Sequence, residues 1–141
     1  MLAAASAVYL AGLASLTLGP QPEGVGGVLQ TLADGFAGVP ATAWMTYAVL
    51  EFTANVALFV PFGLLWILWC GPRQAWIGGV AGLAMSVLIE ATQALALPDR
   101  YPDVRDLIAN GVGALLGALI LAAVARRHAR GTRARDLTAH T

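Results

Sequence analysis

The fold is decided by residues 106–127, which have the sequence DLIANGVGALLGALILAAVARR. Residues 107–125 of this stretch carry no charge, and about 20 apolar residues are enough for an α-helix to cross the hydrocarbon core of a bilayer. Asp106 and Asn110 stand at its start. Because an ionisable side chain is energetically expensive in lipid, such a group indicates a function. The stretch predicts a transmembrane helix with functional polar groups near one end.

The composition extends this prediction to the whole chain. Of its 141 residues, 58% are hydrophobic and 11% are charged, whereas soluble domains are about half apolar and about a quarter charged. The apolar length suits about four spans of roughly 20 residues each, in one compact unit with no room for a second domain. The single cysteine, Cys70, cannot close a disulfide bridge within the chain.

Three further apolar runs precede this stretch, at residues 2–18, 47–69 and 75–97. No Lys or Arg precedes the first run and no clear small-x-small cleavage site ends it, so we expect a membrane helix rather than a signal peptide. We predict an all-α polytopic membrane protein. It has a bundle of four transmembrane helices in residues 1–125 and a basic cytoplasmic tail in residues 126–141.

A short amphipathic segment lies between the first two runs. Its apolar residues fall on one helical stripe, namely Val25, Val28, Leu29, Leu32 and Phe36. We predict a short interfacial helix between helices 1 and 2, which could cover the bundle as a lid. A plain loop over the end of the bundle is the alternative.

The placement of arginine predicts the orientation, because positively charged short loops stay in the cytoplasm. Five of the eight cationic residues lie within residues 126–135, and Arg73 joins the second and third spans. The segment between the first two spans has no Lys or Arg. Both termini are therefore expected in the cytoplasm. The basic tail marks the topology and does not indicate a nucleic-acid surface.

This orientation brings the polar residues of the last three spans to one depth, near the outer surface. Residues three or four apart share one face of a helix, and that face must point inward because lipid offers no partner for a carboxylate. The loop before the fourth span adds one acid and two arginines. We expect these residues to form one ligand-binding site: Glu51, Asn55, Glu90, Gln93, Arg100, Asp103, Arg105, Asp106 and Asn110.

The order of these residues resembles the VanZ-like family of membrane proteins. The matching positions are residues 55–63 (NVALFVPFG), Ser86 with Glu90 and Gln93, residues 100–110 (R-x-x-D-V-R-D-L-I-x-N), and Gly113 with Gly117. The resemblance covers the chain from near its start through the fourth span. We expect the two glycines to serve close helix packing rather than a site.

The resemblance implies a small multi-pass protein of the bacterial cytoplasmic membrane. The named member of that family gives low-level resistance to teicoplanin, a glycopeptide that binds cell-wall precursors. The resemblance implies no known reaction, and the drug phenotype could be incidental to a role in handling envelope lipids or precursors.

The first functional hypothesis is binding of a membrane lipid, a polyprenyl-phosphate-linked cell-wall precursor or a glycopeptide. Arg100 and Arg105 would hold phosphate oxygens, and the amides would hydrogen-bond to sugar or phosphate groups. The acids outnumber these two arginines. An anionic ligand therefore requires protonated carboxylates or an accompanying divalent cation.

The second hypothesis is a metal-assisted membrane enzyme that acts on a lipid-linked phosphate. Glu90, Asp103, Asp106 and Asn110 would hold Mg²⁺ or a similar hard cation while a carboxylate acts as general base. No Ser, Cys or His near these residues stands in a nucleophile setting. We expect the Ser86 hydroxyl to bond back to its own helix.

A purely structural role is the third hypothesis. An arginine would neutralise the buried acids, and the amides would complete a network that fixes helix register. Each of the last three spans, however, contributes an acid and an amide. A structural network needs only one or two polar groups, so the larger number favours a ligand site. A transporter ranks lowest because the sequence shows no inverted repeat. The sequence names no cofactor and no oligomeric state.

Overall fold

The computed structural model describes residues 1–18, 23–96 and 103–139. These residues form five α-helices and a one-turn 3-10 helix, and no strand occurs among them. The helices are α1 (Leu2–Leu18), α2 (Glu23–Ala37), α3 (Tyr47–Cys70), the 3-10 turn (Pro72–Gln74), α4 (Ala75–Ala96) and α5 (Val104–Ala139). The predicted all-α class is confirmed.

Three of the helical segments are long and apolar enough to cross a membrane: Tyr47–Cys70, Pro72–Ala96 and Val104–Arg130. The fourth apolar helix, α1, has 17 residues and is shorter. The chain is therefore a multi-pass membrane protein. Its total of four spans stays a prediction.

Close packing of α5 against α3 depends on three glycines. A Cβ atom on Gly63, Gly113 or Gly117 would collide with backbone atoms of the facing helix. On the α4 side of α5, a Cβ atom on Gly82 would collide with the side chain of Ala114. Small residues allow such close approach of helices in lipid. The prediction that Gly113 and Gly117 serve helix packing is confirmed.

All four apolar helices contribute to one core cluster. Leu13 of α1, Phe59 of α3, Ile89 of α4 and Ala114 of α5 are buried together. The hydroxyl of Tyr9 also donates a hydrogen bond of 3.0 Å from α1 to the carbonyl oxygen of Leu58. The shorter α1 is thus part of the bundle and packs against α3 and α4.

A helix does lie between α1 and α3, as predicted, since α2 covers Glu23–Ala37. Ala33 of α2 is buried, whereas Val28 and Leu32 are exposed. The hydroxyl of Tyr47 in α3 lies beside α2, where it would meet a Cβ atom placed on Gly26. The position of α2 at a membrane surface stays a prediction.

The last helix continues beyond the apolar run, which ends at Ala125, as far as Ala139. Ala and Arg are strong helix formers, which accounts for a helix that extends through the basic segment. The guanidinium of Arg126 donates a hydrogen bond of 2.8 Å to the carbonyl oxygen of Pro72. Arg73 and Arg126 therefore lie at the same end of the bundle, which we call the basic end.

Candidate functional site

The polar residues meet at the opposite end of the bundle, where α3 begins, α4 ends and α5 begins. Asn110 and Arg126 are 16 residues apart in α5, which is roughly 24 Å at about 1.5 Å per residue. We call the following side chains the polar cluster: Glu51, Asn55, Ser86, Glu90, Gln93, Asp103, Asp106 and Asn110. Hydrogen bonds between helices connect most of them.

The first connection joins α3 to α5. The side-chain amide of Asn55 donates a hydrogen bond of 2.6 Å to a carboxylate oxygen of Asp106. Both residues are half-buried. Glu51 and Asp103 lie near enough to Asp106 to repel its negative charge, and Arg105 is near enough to attract it. Glu51 in turn accepts a hydrogen bond of 3.1 Å from the hydroxyl of Tyr47.

The second connection joins α4 to α5 and is buried. The side-chain amide of Asn110 donates a hydrogen bond of 2.8 Å to the hydroxyl oxygen of Ser86. Ser86 is 0% exposed and Asn110 is 6% exposed. Within the described part of the chain, the Oδ1 atom of Asn110 has no hydrogen-bond partner. Burial of a polar atom without a partner costs about 1–3 kcal/mol, and in the described residues the Nε1 atom of Trp66 is a second buried polar atom of this kind.

The third connection involves Glu90, which is 9% exposed. A carboxylate oxygen of Glu90 accepts a hydrogen bond of 3.3 Å from the backbone N–H of Asp103. The carboxylate of Asp103 itself accepts a hydrogen bond of 2.8 Å from the backbone N–H of Arg105. The end of α4 and the start of α5 are therefore held together through carboxylates.

Gln93 connects the cluster to α1. Its side-chain amide donates a hydrogen bond of 2.7 Å to the carbonyl oxygen of Thr17, in the last turn of α1. That carbonyl belongs to a helix end, where backbone acceptors have no partner within the helix. One N–H of Gln93 thus already stabilises the fold, and the predicted contact with a ligand would involve its amide oxygen or its second N–H.

Of the two arginines of the predicted site, the structure describes Arg105. Arg105 is exposed, and its guanidinium donates a hydrogen bond of 3.5 Å to the carbonyl oxygen of Ala48 at the start of α3. Arg100 lies outside the described residues. Arg105 is therefore at the rim of the polar cluster rather than among its buried groups.

The sequence analysis did not identify two hydrogen-bond partners within the polar cluster. We expected the hydroxyl of Ser86 to bond to its own helix, but it accepts the amide of Asn110. Its position four residues before Glu90, on the same face of α4, was the available signal. The second missed partner is Tyr47. It lies four residues before Glu51 and therefore on the same face of α3.

The geometry of the acids also bears on the predicted cation. Within residues 1–18, 23–96 and 103–139, no group of three or more His, Cys, Asp and Glu side chains is placed to hold a metal ion. The connections above pair Asp106 with an amide, Glu90 and Asp103 with backbone N–H groups, and Glu51 with the hydroxyl of Tyr47. Such a set can bind a hydrogen-bonding ligand, because carboxylate oxygens have several lone pairs and accept more than one donor.

Comparison with known proteins identifies a family. The family model described as VanZ/LLP1 matches residues 6–125, which is most of the chain. The match runs from α1 to the end of the apolar part of α5 and includes every residue of the polar cluster. The resemblance found in the sequence is thereby confirmed. The search of curated proteins and the search of solved structures found no match.

Proposed function

Because the chain belongs to the VanZ/LLP1 family, we propose that it binds the polar head group of an envelope lipid or a lipid-linked cell-wall precursor. The binding site is the polar cluster. The family name links the protein to teicoplanin resistance, and teicoplanin itself binds cell-wall precursors. A protein that sequesters or presents such a head group would change the access of a glycopeptide to its target.

The proposed topology has four spans in the bacterial cytoplasmic membrane, with both termini in the cytoplasm. The helix α1, of 17 residues, is roughly 25 Å long at 1.5 Å per residue and close to the roughly 30 Å hydrocarbon core. The basic end, with Arg73 and Arg126, is cytoplasmic because positive charge is retained inside. The polar cluster then faces the outer side, where envelope precursors are used. In this arrangement α2 lies at the outer interface.

The observation that carries the binding proposal is the buried Oδ1 atom of Asn110. A network that only fixes helix register gains most when every buried acceptor is satisfied. Two neighbouring pairs in this network are bonded, Asn55 to Asp106 and Asn110 to Ser86. An acceptor left over within this network supports a ligand that supplies the donor.

Two charge-removing substitutions test the proposal. Asp106→Asn and Glu90→Gln keep the size of each side chain and remove one negative charge. We expect both variants to insert and fold, and to lose teicoplanin resistance in a host where the wild-type protein confers it. Thr92→Val is the matched control, because Thr92 is exposed on α4 and its hydroxyl donates to its own helix, at the carbonyl oxygen of Leu88.

A direct measurement complements the susceptibility test. Native mass spectrometry of the protein extracted in mild detergent should show a retained lipid or precursor on the wild type and on Thr92→Val. The Asp106→Asn protein should have lost it. Equal retention by all three proteins, or unchanged resistance in both charge-removing variants, would remove the polar cluster from the binding function.

A further inference from the structure

The buried face of α5 continues past the apolar core at the basic end. Ala118 and Ala122 are buried in one cluster with Ala75, the first residue of α4. Residues four apart share one face of a helix, so Arg126 and Arg130 lie on this same face, one and two turns further along α5. The face that packs against α4 therefore ends in two arginines.

The turn between α3 and α4 adds a third arginine at the same place. The guanidinium of Arg126 donates a hydrogen bond of 2.8 Å to the carbonyl oxygen of Pro72, and the next residue in the chain is Arg73. That bond uses one of the five N–H groups of the guanidinium. All three arginines are exposed. We call Arg73, Arg126 and Arg130 the arginine cluster.

The two stretches of sequence that contain the arginine cluster have no acidic residue. Neither residues 52–89 nor residues 107–135 include an Asp or a Glu. Asp106 precedes Arg126 by 20 residues in α5, which is roughly 30 Å at about 1.5 Å per residue. In the other direction, Asp136 follows Arg130 by six residues, which is roughly 9 Å along the helix and more than one and a half turns around it.

The remaining acids are also held away from the arginine cluster. Glu23 and Asp34 belong to α2, which lies beside the hydroxyl of Tyr47, near the polar cluster. Asp99 is three residues from Ala96, the last residue of α4, and three residues of chain span at most about 11 Å. Ala96 is itself roughly 30 Å from the start of α4. The arginine cluster therefore carries a net positive charge.

Two exposed tryptophans place the arginine cluster at the depth of lipid head groups. Trp69 in the last turn of α3 is 59% exposed, and Trp76 in the first turn of α4 is 66% exposed. Exposed Trp side chains concentrate at the boundary between the hydrocarbon and the head groups. The apolar run of α5 also ends at Ala125, one residue before Arg126. Lipid phosphates are therefore at the level of these arginines.

We propose that the arginine cluster binds the phosphate of an anionic phospholipid, in the leaflet that the basic end faces. Guanidinium groups form paired, charge-assisted hydrogen bonds with phosphate oxygens, and basic sites between membrane helices bind anionic head groups. A zwitterionic lipid has the same phosphate, but its cationic amine would be repelled by the three arginines. This second site is separate from the polar cluster and goes beyond the function proposed for it.

The test compares lipids that differ in the charge of the head group. Purified protein in detergent is titrated with phosphatidylglycerol and with phosphatidylethanolamine of identical acyl chains, and bound lipid is counted by native mass spectrometry. An arginine near anionic lipid strengthens binding roughly fivefold. We expect the wild-type protein to bind phosphatidylglycerol at least about tenfold more tightly than phosphatidylethanolamine, because more than one arginine contributes.

Variants connect this preference to the arginine cluster. The double variant Arg73→Gln and Arg130→Gln removes two charges and leaves Arg126 to bond to the turn. We expect it to weaken phosphatidylglycerol binding roughly 25-fold and to leave phosphatidylethanolamine binding nearly unchanged. If the double variant fails to fold, Arg130→Gln alone should weaken phosphatidylglycerol binding about fivefold.

Two controls separate charge at the basic end from other effects. Gln74→Ala is the matched control, because Gln74 is exposed and neutral beside Arg73, and it should bind phosphatidylglycerol as the wild type does. Asp106→Asn alters the polar cluster at the opposite end and should also retain phosphatidylglycerol at the basic end.

Three results would overturn the site at the basic end. The first is equal binding of phosphatidylglycerol and phosphatidylethanolamine by the wild-type protein. The second is unchanged phosphatidylglycerol binding in the arginine variants, or an equal loss in Gln74→Ala. The third is a loss of phosphatidylglycerol in Asp106→Asn but not in the arginine variants, which would assign the anionic lipid to the polar cluster and leave the head-group function proposed above intact.

Discussion

At the scale of single residues, the polar cluster is organised by donors and acceptors that are specific to position. Asn55 is bonded to Asp106, while Asn110 is bonded to Ser86. The two asparagines therefore differ in environment although each lies four residues from an acid on its own helix. The first amide supports a carboxylate at the half-buried level, and the second amide is buried and donates to the hydroxyl of Ser86.

The buried pair of Ser86 and Asn110 gives a stability prediction. Ser86→Ala leaves the amide nitrogen of Asn110 without its acceptor, so we expect the free energy of unfolding to fall by about 1–3 kcal/mol. Thermal unfolding in detergent, followed by size-exclusion chromatography, measures the change. Thr92→Ala is the control and should shift the midpoint little, because its hydroxyl is exposed and bonds to its own helix. Equal midpoints for Ser86→Ala and the wild type would contradict the role of this bond.

The sequence predicted which residues lie in the cluster better than it predicted how they pair. Spacings of three and four residues identify a shared face, since they depend only on helix periodicity. The partner of each group depends on the rotation of one helix against another, which Gly63, Gly113 and Gly117 set through direct backbone contact. That rotation is not a local property, so the bond from Asn110 to Ser86 could not be predicted.

At the scale of helices, the pair of α3 and α5 is the most closely packed part of the bundle. Gly63 of α3 and Gly113 and Gly117 of α5 lie at this contact, and the atom nearest to a Cβ placed on each is a backbone atom of the facing helix. Dispersion contacts and small residues are the main source of helix association in lipid, where no hydrophobic effect acts between spans. The polar cluster is built on the end of this pair.

Adding a methyl group at this contact should therefore be costly. We expect Gly117→Ala and Gly63→Ala to lower the free energy of unfolding by about 1–3 kcal/mol, because the helices must separate to admit the Cβ atom. Gly12→Ala in α1 is the control, since nothing lies within 4 Å of a Cβ atom placed there. The midpoint of thermal unfolding of Gly12→Ala should stay the same or rise slightly, because Ala is a better helix former than Gly. A similar fall in the free energy of unfolding of all three variants would show that the close contact between α3 and α5 is not the cause.

The ends of the helices show where sequence analysis succeeded and where it did not. The apolar runs at residues 2–18, 47–69 and 75–97 agree with α1, α3 and α4 to within a few residues. Apolar length is a local property that composition displays directly. The end of α5 was not predicted, because the run of apolar residues stops at Ala125 while the helix continues to Ala139. Backbone hydrogen bonding does not require an apolar side chain.

At the scale of the whole molecule, two chemically different ends define the protein. The basic end contains Arg73 and Arg126, and the polar cluster lies roughly 24 Å away along α5. Positive charge at one end favours a cytoplasmic location for that end. In the proposed orientation, the acidic cluster at the other end is available to lipids or precursors on the outer side of the membrane.

The single cysteine provides a test of this orientation. Cys70 is exposed at the last residue of α3, next to the basic end. We expect a membrane-impermeant maleimide to label Cys70 only after the cells are permeabilised. In a Cys70→Ser background, Val104→Cys should be labelled in intact cells, because Val104 is 65% exposed at the start of α5. Labelling of Cys70 in intact cells would reverse the topology.

The unbroken helix α5 has a mechanical consequence. Its 36 residues contain no proline and extend roughly 54 Å at 1.5 Å per residue, well beyond the roughly 30 Å of hydrocarbon. A continuous helix of this kind has no proline kink that could absorb a displacement. A displacement of the part of α5 beyond Ala125 would therefore be transmitted along the helix to Asp106 and Asn110.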